Sequence, residues 1–355
     1  MKKVIALILA LVMALSLCAC GQSAPAETKE TAAAQAEVKE TEAAAQPVEP
    51  VVLKVNMSES AQDNKAIAVD QVVANIEERT EGRIKFEVYH NGELGTFQDD
   101  VEAIVAGANI IDGTSSSAFA DYGCDDMMGM DLMRAFQSPE EVATFNGSDL
   151  FKEMTAELEA NSGIKMMCMN WCGQPRCVLA TSPINTVADL DGKIIRVPTA
   201  AYTAFFTRLG ATTASMTMGE TYTAMQQGTV DACEFPLVTI YSNSLHEVGK
   251  YLYLSEHTYA ATCWVMNGDI FNSLSAEDQA IMLEEFEKGG EYFTQLNLDS
   301  LADYKAKLEA EGVTIVEPSE EDKAVMAAVA VESAADFPNM SEGFMERLAV
   351  AAGRK

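Results

Sequence analysis

The side chains with the most evident capacity for chemistry are two arginines. Arg176 lies in "WCGQPRCVLA" and Arg196 in "IIRVPTAAYTAFF", within a chain that has 24 basic residues against 54 acidic ones. Arg196 interrupts an apolar run where a valine would pack better, at the end of a predicted strand. Pro198 ends that strand, and Thr199 is placed to cap the helix that follows. A helix start offers free N–H donors and partial positive charge. A guanidinium fork pairs with both oxygens of a carboxylate. Together these make an anion site; the alternative is an internal salt bridge to one of the many acidic residues. The 20 residues from Arg176 to Arg196 match one strand–helix–strand unit, so the two arginines are expected to face one cleft from neighbouring strands.

Signs of catalysis are few. His90, His246 and His257 show no metal-ligand spacing, and there is no nucleophile elbow, P-loop or dinucleotide fingerprint. Carboxylate pairs are so abundant that none stands out. The reading is a binding protein, not an enzyme, with no cofactor and no metal. Cys168, Cys172 and Cys177 fit no common zinc pattern. In "KMMCMNWC" cysteine reads as a small hydrophobe on a buried strand, so free thiols are expected, with a disulfide as the alternative. A net charge of −30 without a basic stripe excludes nucleic acid as a partner and opposes adhesion of the protein surface to anionic lipid.

The first twenty residues, "MKKVIALILALVMALSLCAC", have the layout of an export signal. They end in a small residue before Cys20, which resembles a bacterial lipobox; an ordinary signal peptide is the plainer alternative. Residues 1–19 are thus expected to be removed and Cys20 lipidated. Residues 20–50 carry no aromatic, leucine or isoleucine, and form a tether from that anchor. The lipid on Cys20 is then the only expected membrane contact, and the location extracytoplasmic, at the cell membrane.

From residue 51 the pattern is β-α-β-α-β: "VVLKVNM", a helix through "DNKAIAVDQVVANIEERTEG", "RIKFEVYHNGELG", a helix through "TFQDDVEAIVAGA", and "NIIDGTSSSAF". Strands resume at "GIKMMCMNW", "RCVLATS", "KIIRV" and "VDACEF", with helices stopped by Gly210 and Gly228. "HTYAATCWVMNG" is a longer strand placed to cross back to the first lobe. Residues 275–312 read as one long helix or a broken pair, capped by Ser275 and Asp278. This rhythm predicts mostly parallel sheets in two α/β lobes with a cleft between them.

The stretch "DLDGKIIRVPTAAYTAFFTRLGATTASMTMGETYTAMQQGTVDACEFPL" resembles the DctP-type solute receptors of tripartite ATP-independent periplasmic (TRAP) transporters. Asp191, Gly192, Arg196, Pro198, Gly210, Ala211, Met216, Glu220, Tyr222, Ala224, Gln226, Gly228, Asp231, Glu234 and Pro236 match the family pattern. "EGRIKFEVYHNGELG" is similar to its N-terminal segment. The resemblance covers about 51–350 and implies a type II periplasmic-binding-protein fold that closes on an organic acid for a sodium-coupled permease with small and large subunits. Lobe I would comprise 51–173 and 262–301, and lobe II 174–261 and 302–355. Arg196 would make the main carboxylate salt bridge, assisted by Arg176. Trp171 falls where the family often has a pocket residue, with core packing as the alternative. Ser58, Glu59 and Ser115 fall at ligand-facing loops, and Glu234 lies in the motif. Phe235 stands where the family usually has asparagine, and Ala232 where it has glycine. Phe235 cannot donate a hydrogen bond, so with Tyr202 it suggests a partly aromatic pocket. An ABC-type or sensory receptor would share fold and cleft; an exported enzyme would differ by turnover.

Overall fold

The computed structural model describes residues 49–355; the expected leader, Cys20 and nearly all of the tether lie outside the described residues. The strands are β1 (Val51–Asn56), β2 (Ile84–Tyr89), β3 (Ile110–Thr114), β4 (Ile164–Cys172), β5 (Cys177–Ala180), β6 (Ile194–Val197), β7 (Thr212–Ser215), β8 (Ala232–Phe235), β9 (Tyr251–Tyr253), β10 (Ala261–Asn267) and β11 (Thr314–Val316). They form two sheets, ordered β2-β1-β3-β10-β4 and β11-β9-β5-β8-β6-β7.

Helical crossovers make β2, β1 and β3 parallel. The same holds for β8, β6 and β7. Both sheets are mixed: the first has two parallel and two antiparallel pairs, fewer parallel ones than the sequence suggests, and the second three parallel and two antiparallel. β10 returns from the second lobe as an extended segment, not through a helix, and so runs antiparallel to both β3 and β4. β5 is antiparallel to β8 and β9 for the same reason. The sequence reading does not single out β7 and β9, because "TTAS" and "YLY" are too short to show a period.

Residues 275–312 resolve into one continuous helix, Ala276–Ala310, whose first turn is capped by Ser275 Oγ accepting from the Asp278 amide at 3.1 Å. Its early turns lie on β4 and on the helix Asn64–Arg79, and later ones reach the helix Leu237–Ser242. Gly289 and Gly290 permit the close approach: a Cβ at the first would strike Val72 and Trp171, and at the second Asn170.

Trp171 therefore belongs to the core and not to the cleft, a correction to its expected place in the pocket. It is fully buried, its indole N–H donates to the Phe286 carbonyl at 2.7 Å, and its ring meets Trp264 at 4.9 Å. β4 is covered on both faces, so alternation along it gives no indication of which side faces a ligand.

The second sheet is likewise packed on both faces. β11 and the helix Glu320–Ser333 sit on its side. The helix Phe344–Ala351 does not: Phe344, Leu348 and Ala352 join Phe136, Phe145 and Leu158 in the core beside the first sheet. All six cysteines from Cys124 to Cys263 are free and buried. Burial pushes the thiols of Cys172, Cys177 and Cys233 up to about 12, which keeps them unreactive. Trp171→Ala should cost about 3–5 kcal/mol through cavity formation. The check is a lowered urea midpoint with ligand affinity of the folded fraction unchanged.

Candidate ligand-binding site

Three stretches of chain link the sheets side by side: Gly173–Arg176, 254–260 and the long helix. Where they meet lies a cavity of about 530 Å³. Its walls come from the carboxyl ends of strands, where ligands bind in open α/β sheets. Seven expected site residues line it: Arg176, Arg196, Phe235, Tyr202, Ser115, Ser58 and Glu59. Trp171 and Glu234 do not.

The two arginines are not on neighbouring strands. β8 lies between β5 and β6, with Phe235 opposite Cys177 and Cys233 opposite Arg196. The intervening strand thereby places Glu234 and Phe235 against both guanidinium groups. Glu234 is fully buried behind the wall. It takes Arg176 in a fork, with Nε to Oε2 at 2.5 Å and Nη2 to Oε1 at 2.7 Å, and its carbonyl accepts a third bond from Nη2 at 2.9 Å. From Arg196 the nearest Glu234 oxygen is 3.8 Å away. The internal salt bridge considered for Arg196 is present but long, and Glu234 spends its hydrogen bonds on Arg176.

Arg196 itself is 4% exposed. Its Nε donates to the Met216 carbonyl at 3.0 Å, while its buried Nη1 has no hydrogen-bond partner. Burial, only partly offset by Glu234, pulls its pKa down to about 10, so it remains a cation at neutral pH. Burial also opposes the charge on Arg176, but Glu234 outweighs it and holds the pKa above the ordinary arginine value. The carboxyl of Glu234 is raised by burial yet lowered further by Arg176 and His257, and stays ionised.

His257, which the sequence reading passed over, supports this group. Burial keeps it below the usual imidazole value despite Glu234, hence neutral. Its Nε2 lies 3.3 Å from Glu234 Oε2 and its Nδ1 2.8 Å from Ser255 Oγ. The neutral tautomer protonated on Nε2 satisfies both contacts. No spacing in the sequence could have linked it to Glu234.

Phe235 replaces a hydrogen bond with π-electron density. Its ring centroid is 4.6 Å from the Arg196 guanidinium carbon and 5.2 Å from that of Arg176, whose other neighbour is the Tyr202 ring at 5.2 Å. Thr199 does not cap the helix Ala200–Arg208 with its side chain. Its hydroxyl instead donates to Asp131 at 2.8 Å, beside a 2.6 Å bond from Ser117 to the same oxygen. Asp131 thus joins the segment after β3 to the start of that helix, which is left without a side-chain cap at the cavity wall. The opposite wall, from the first sheet, carries Asn56, Asp63, Lys65, Asp112 and Thr114, none of which the sequence reading marked. There Lys65 Nζ pairs with Glu59 at 2.5 Å.

A two-lobed receptor that encloses a small anionic solute is the class of protein that this fold and cavity define. The chain belongs to the DctP family, bacterial extracellular solute-binding protein family 7, whose family model matches residues 55–338. It is therefore an extracytoplasmic solute receptor by family. A similar protein is the 2,3-diketo-L-gulonate-binding periplasmic protein of Escherichia coli, 27% identical over 69% of this chain and 74% of its own length. Another is the C4-dicarboxylate-binding periplasmic protein of Rhodobacter capsulatus, 26% identical over 64% and 68%. Among solved structures, a TRAP periplasmic solute binding protein from Desulfovibrio salexigens, in complex with diglycerolphosphate, is 26% identical. It matches with a TM-score of 0.80 over 85% of this chain and 96% of its own. One from Roseobacter denitrificans with bound L-galactonate is 25% identical, with a TM-score of 0.77 over 85% and 98%.

Burial pushes the Asp131 carboxyl up to about 6, against the hydrogen bonds from Ser117 and Thr199. The folded chain thus binds this proton more tightly than the unfolded chain, so stability rises as pH falls from above 6 toward 4. Asp63, also raised to about 6 by burial, acts in the same direction. Asp131→Asn should remove part of this slope, on the order of 1–3 kcal/mol between pH 7 and 4. Urea unfolding of both proteins across that range is the measurement.

Proposed function

We propose that this chain is the lipid-anchored receptor of a TRAP-type transport system, which captures a small organic carboxylate outside the cytoplasm and delivers it to a sodium-coupled permease of small and large subunits. The anchor is the lipid on Cys20, and residues 20–50 give it reach. The receptor performs no chemistry of its own. Arg196 holds the ligand carboxylate, and Arg176, fixed by Glu234, adds field and a second contact. Phe235 and Tyr202 form the apolar flank, while Ser58, Glu59 and Ser115 belong to the opposite wall. Closure is a hinge motion of the two lobes, 51–173 with 262–301 against 174–261 with most of 302–355, stabilised by ligand contacts with both.

The observation that carries this reading is the Arg196 guanidinium, which lines the cavity, has an Nη1 without a hydrogen-bond partner, and lies 3.8 Å from a carboxylate that Arg176 already engages. A buried guanidinium nitrogen without an acceptor is costly, and a ligand carboxylate can supply acceptors that Glu234 does not. The family membership and the bound acid in the Roseobacter denitrificans structure support the same class of ligand.

The test is a thermal-shift screen against carboxylates, in which a binder raises Tm through linkage. Arg196→Ala should remove most of that rise and weaken binding by about 100-fold or more, while Arg196→Lys should recover only part, since it lacks the fork. Retained affinity in a folded Arg196→Ala protein would sink the assignment.

A further inference from the structure

Near its end the chain crosses once more from the second sheet to the first. The helix Glu320–Ser333 belongs to the second sheet: Met326 and Ala330 lie in that core, and Asp322 accepts from the Val187 amide at 2.9 Å. The attachment runs on to Asp336, whose Oδ1 accepts from Arg208 Nη2 at 2.6 Å. Five residues later the chain is held by the other side. Asp126 accepts from the Ser341 amide at 2.7 Å and its hydroxyl at 2.6 Å, and from Arg347 Nη2 at 3.2 Å. Phe344, Leu348 and Ala352 then enter the core beside the first sheet, and Arg354 Nη2 donates to the Ala135 carbonyl at 2.5 Å. Fastened at both ends, the stretch 336–341 reaches at most about 17 Å when fully drawn out.

The joint beneath this stretch is made of side chains that tolerate movement. Residues 127–136 feed both cores in turn: Met127, Met130 and Phe136 go to the first, Leu132 and Met133 to the second. The change of direction puts Arg134 at φ 60°, a left-handed conformation that a non-glycine residue holds only where its surroundings impose it. Gly129 leaves no room for a side chain, because a Cβ there would strike the Phe344 ring. Met128 packs on the second core, while Met340 and Met345 pack on both, so six methionines gather where the two cores meet. An unbranched thioether side chain repacks as its neighbours shift, whereas branched residues would favour one arrangement.

We propose that residues 336–354 are a strap that limits how far the two lobes open, with the methionine joint as the pivot beneath it. The three crossings beside the cavity let the lobes turn, and the strap, at a fourth point, sets where the turn stops. A narrower range of open states leaves less to order when a ligand arrives, which favours affinity. This rests on the hinge motion proposed above and holds whichever ligand the cavity takes.

The test inserts four glycines between Pro338 and Asn339, both exposed, in the full chain. The insertion adds about 14 Å of slack and leaves every anchor intact. Spin labels on p-acetylphenylalanine, in place of Glu93 and Thr223, report the distance between lobes by pulsed electron–electron double resonance and leave the cysteines untouched. Both positions are exposed, one beside the cavity-lining Gly92 and the other a helical turn after Glu220. Without ligand, the long end of the distance distribution should move outward by about 5 Å or more. Asp126→Ala, which frees Ser341 and leaves Phe344 in place, should give part of that shift. The same insertion between Arg354 and Lys355, beyond the last anchor, should give none. A lengthened strap that leaves an open and a closed population unchanged overturns the proposal while the hinge stands. So does an equal shift from the insertion at the chain end, which is what general loosening would give. One narrow distance in every protein means lobes that do not turn, and the hinge reading then fails with the strap.

Discussion

The forked ion pair between Arg176 and Glu234 is the interaction on which the cavity depends. Two guanidinium groups share one wall, and the carboxylate in direct contact with them is Glu234. If Glu234 sat midway, each arginine would be half-neutralised and neither would have strong need of a ligand. By engaging Arg176 at two points and standing 3.8 Å from Arg196, it makes one arginine a fixed part of the wall and leaves the other short of acceptors. The neutral imidazole of His257 helps to fix Glu234 without adding charge. The wall therefore keeps Arg196 3.8 Å from a carboxylate that Arg176 already engages, with its Nη1 free of hydrogen bonds. That is the condition under which a single carboxylate gains most from binding.

Asp131 accepts hydroxyls from both sides of the cleft, and its burial there raises its pKa. Across the cavity, Asp112 and Asp100 solve the reverse problem. An acidic wall facing an anionic ligand would repel it, and burial beside Asp100 holds the Asp112 carboxyl well above the ordinary carboxylate range. The same low dielectric that sharpens Arg196 thus neutralises Asp112.

Much of the first lobe was legible in the chain. Its β-α-β rhythm shows directly in "VVLKVNM" and "RIKFEVYH", because each strand has one side chain period and each crossover helix a different one. The strand at 261–267 was also placed correctly in the first sheet. Trp171 was not legible. β4 is covered on both faces, so neither periodicity nor composition separates a core tryptophan from a pocket one. Thr199 has the residue type and the position of a cap, yet a carboxylate 68 residues away in sequence competes successfully for its hydroxyl.

The sequence by itself determined the α/β class and the family and marked Arg196, which lines the cavity, because strand and helix periods are local and the motif around Arg196 is contiguous. Only the tertiary structure decided which arginine Glu234 neutralises, that β8 separates the two, and that Asp112 meets Asp100. Those outcomes turn on strand order and on distances of a few ångströms between residues far apart in the chain. Coulomb and hydrogen-bond energies depend on such distances, and residue spacing along the sequence does not encode them.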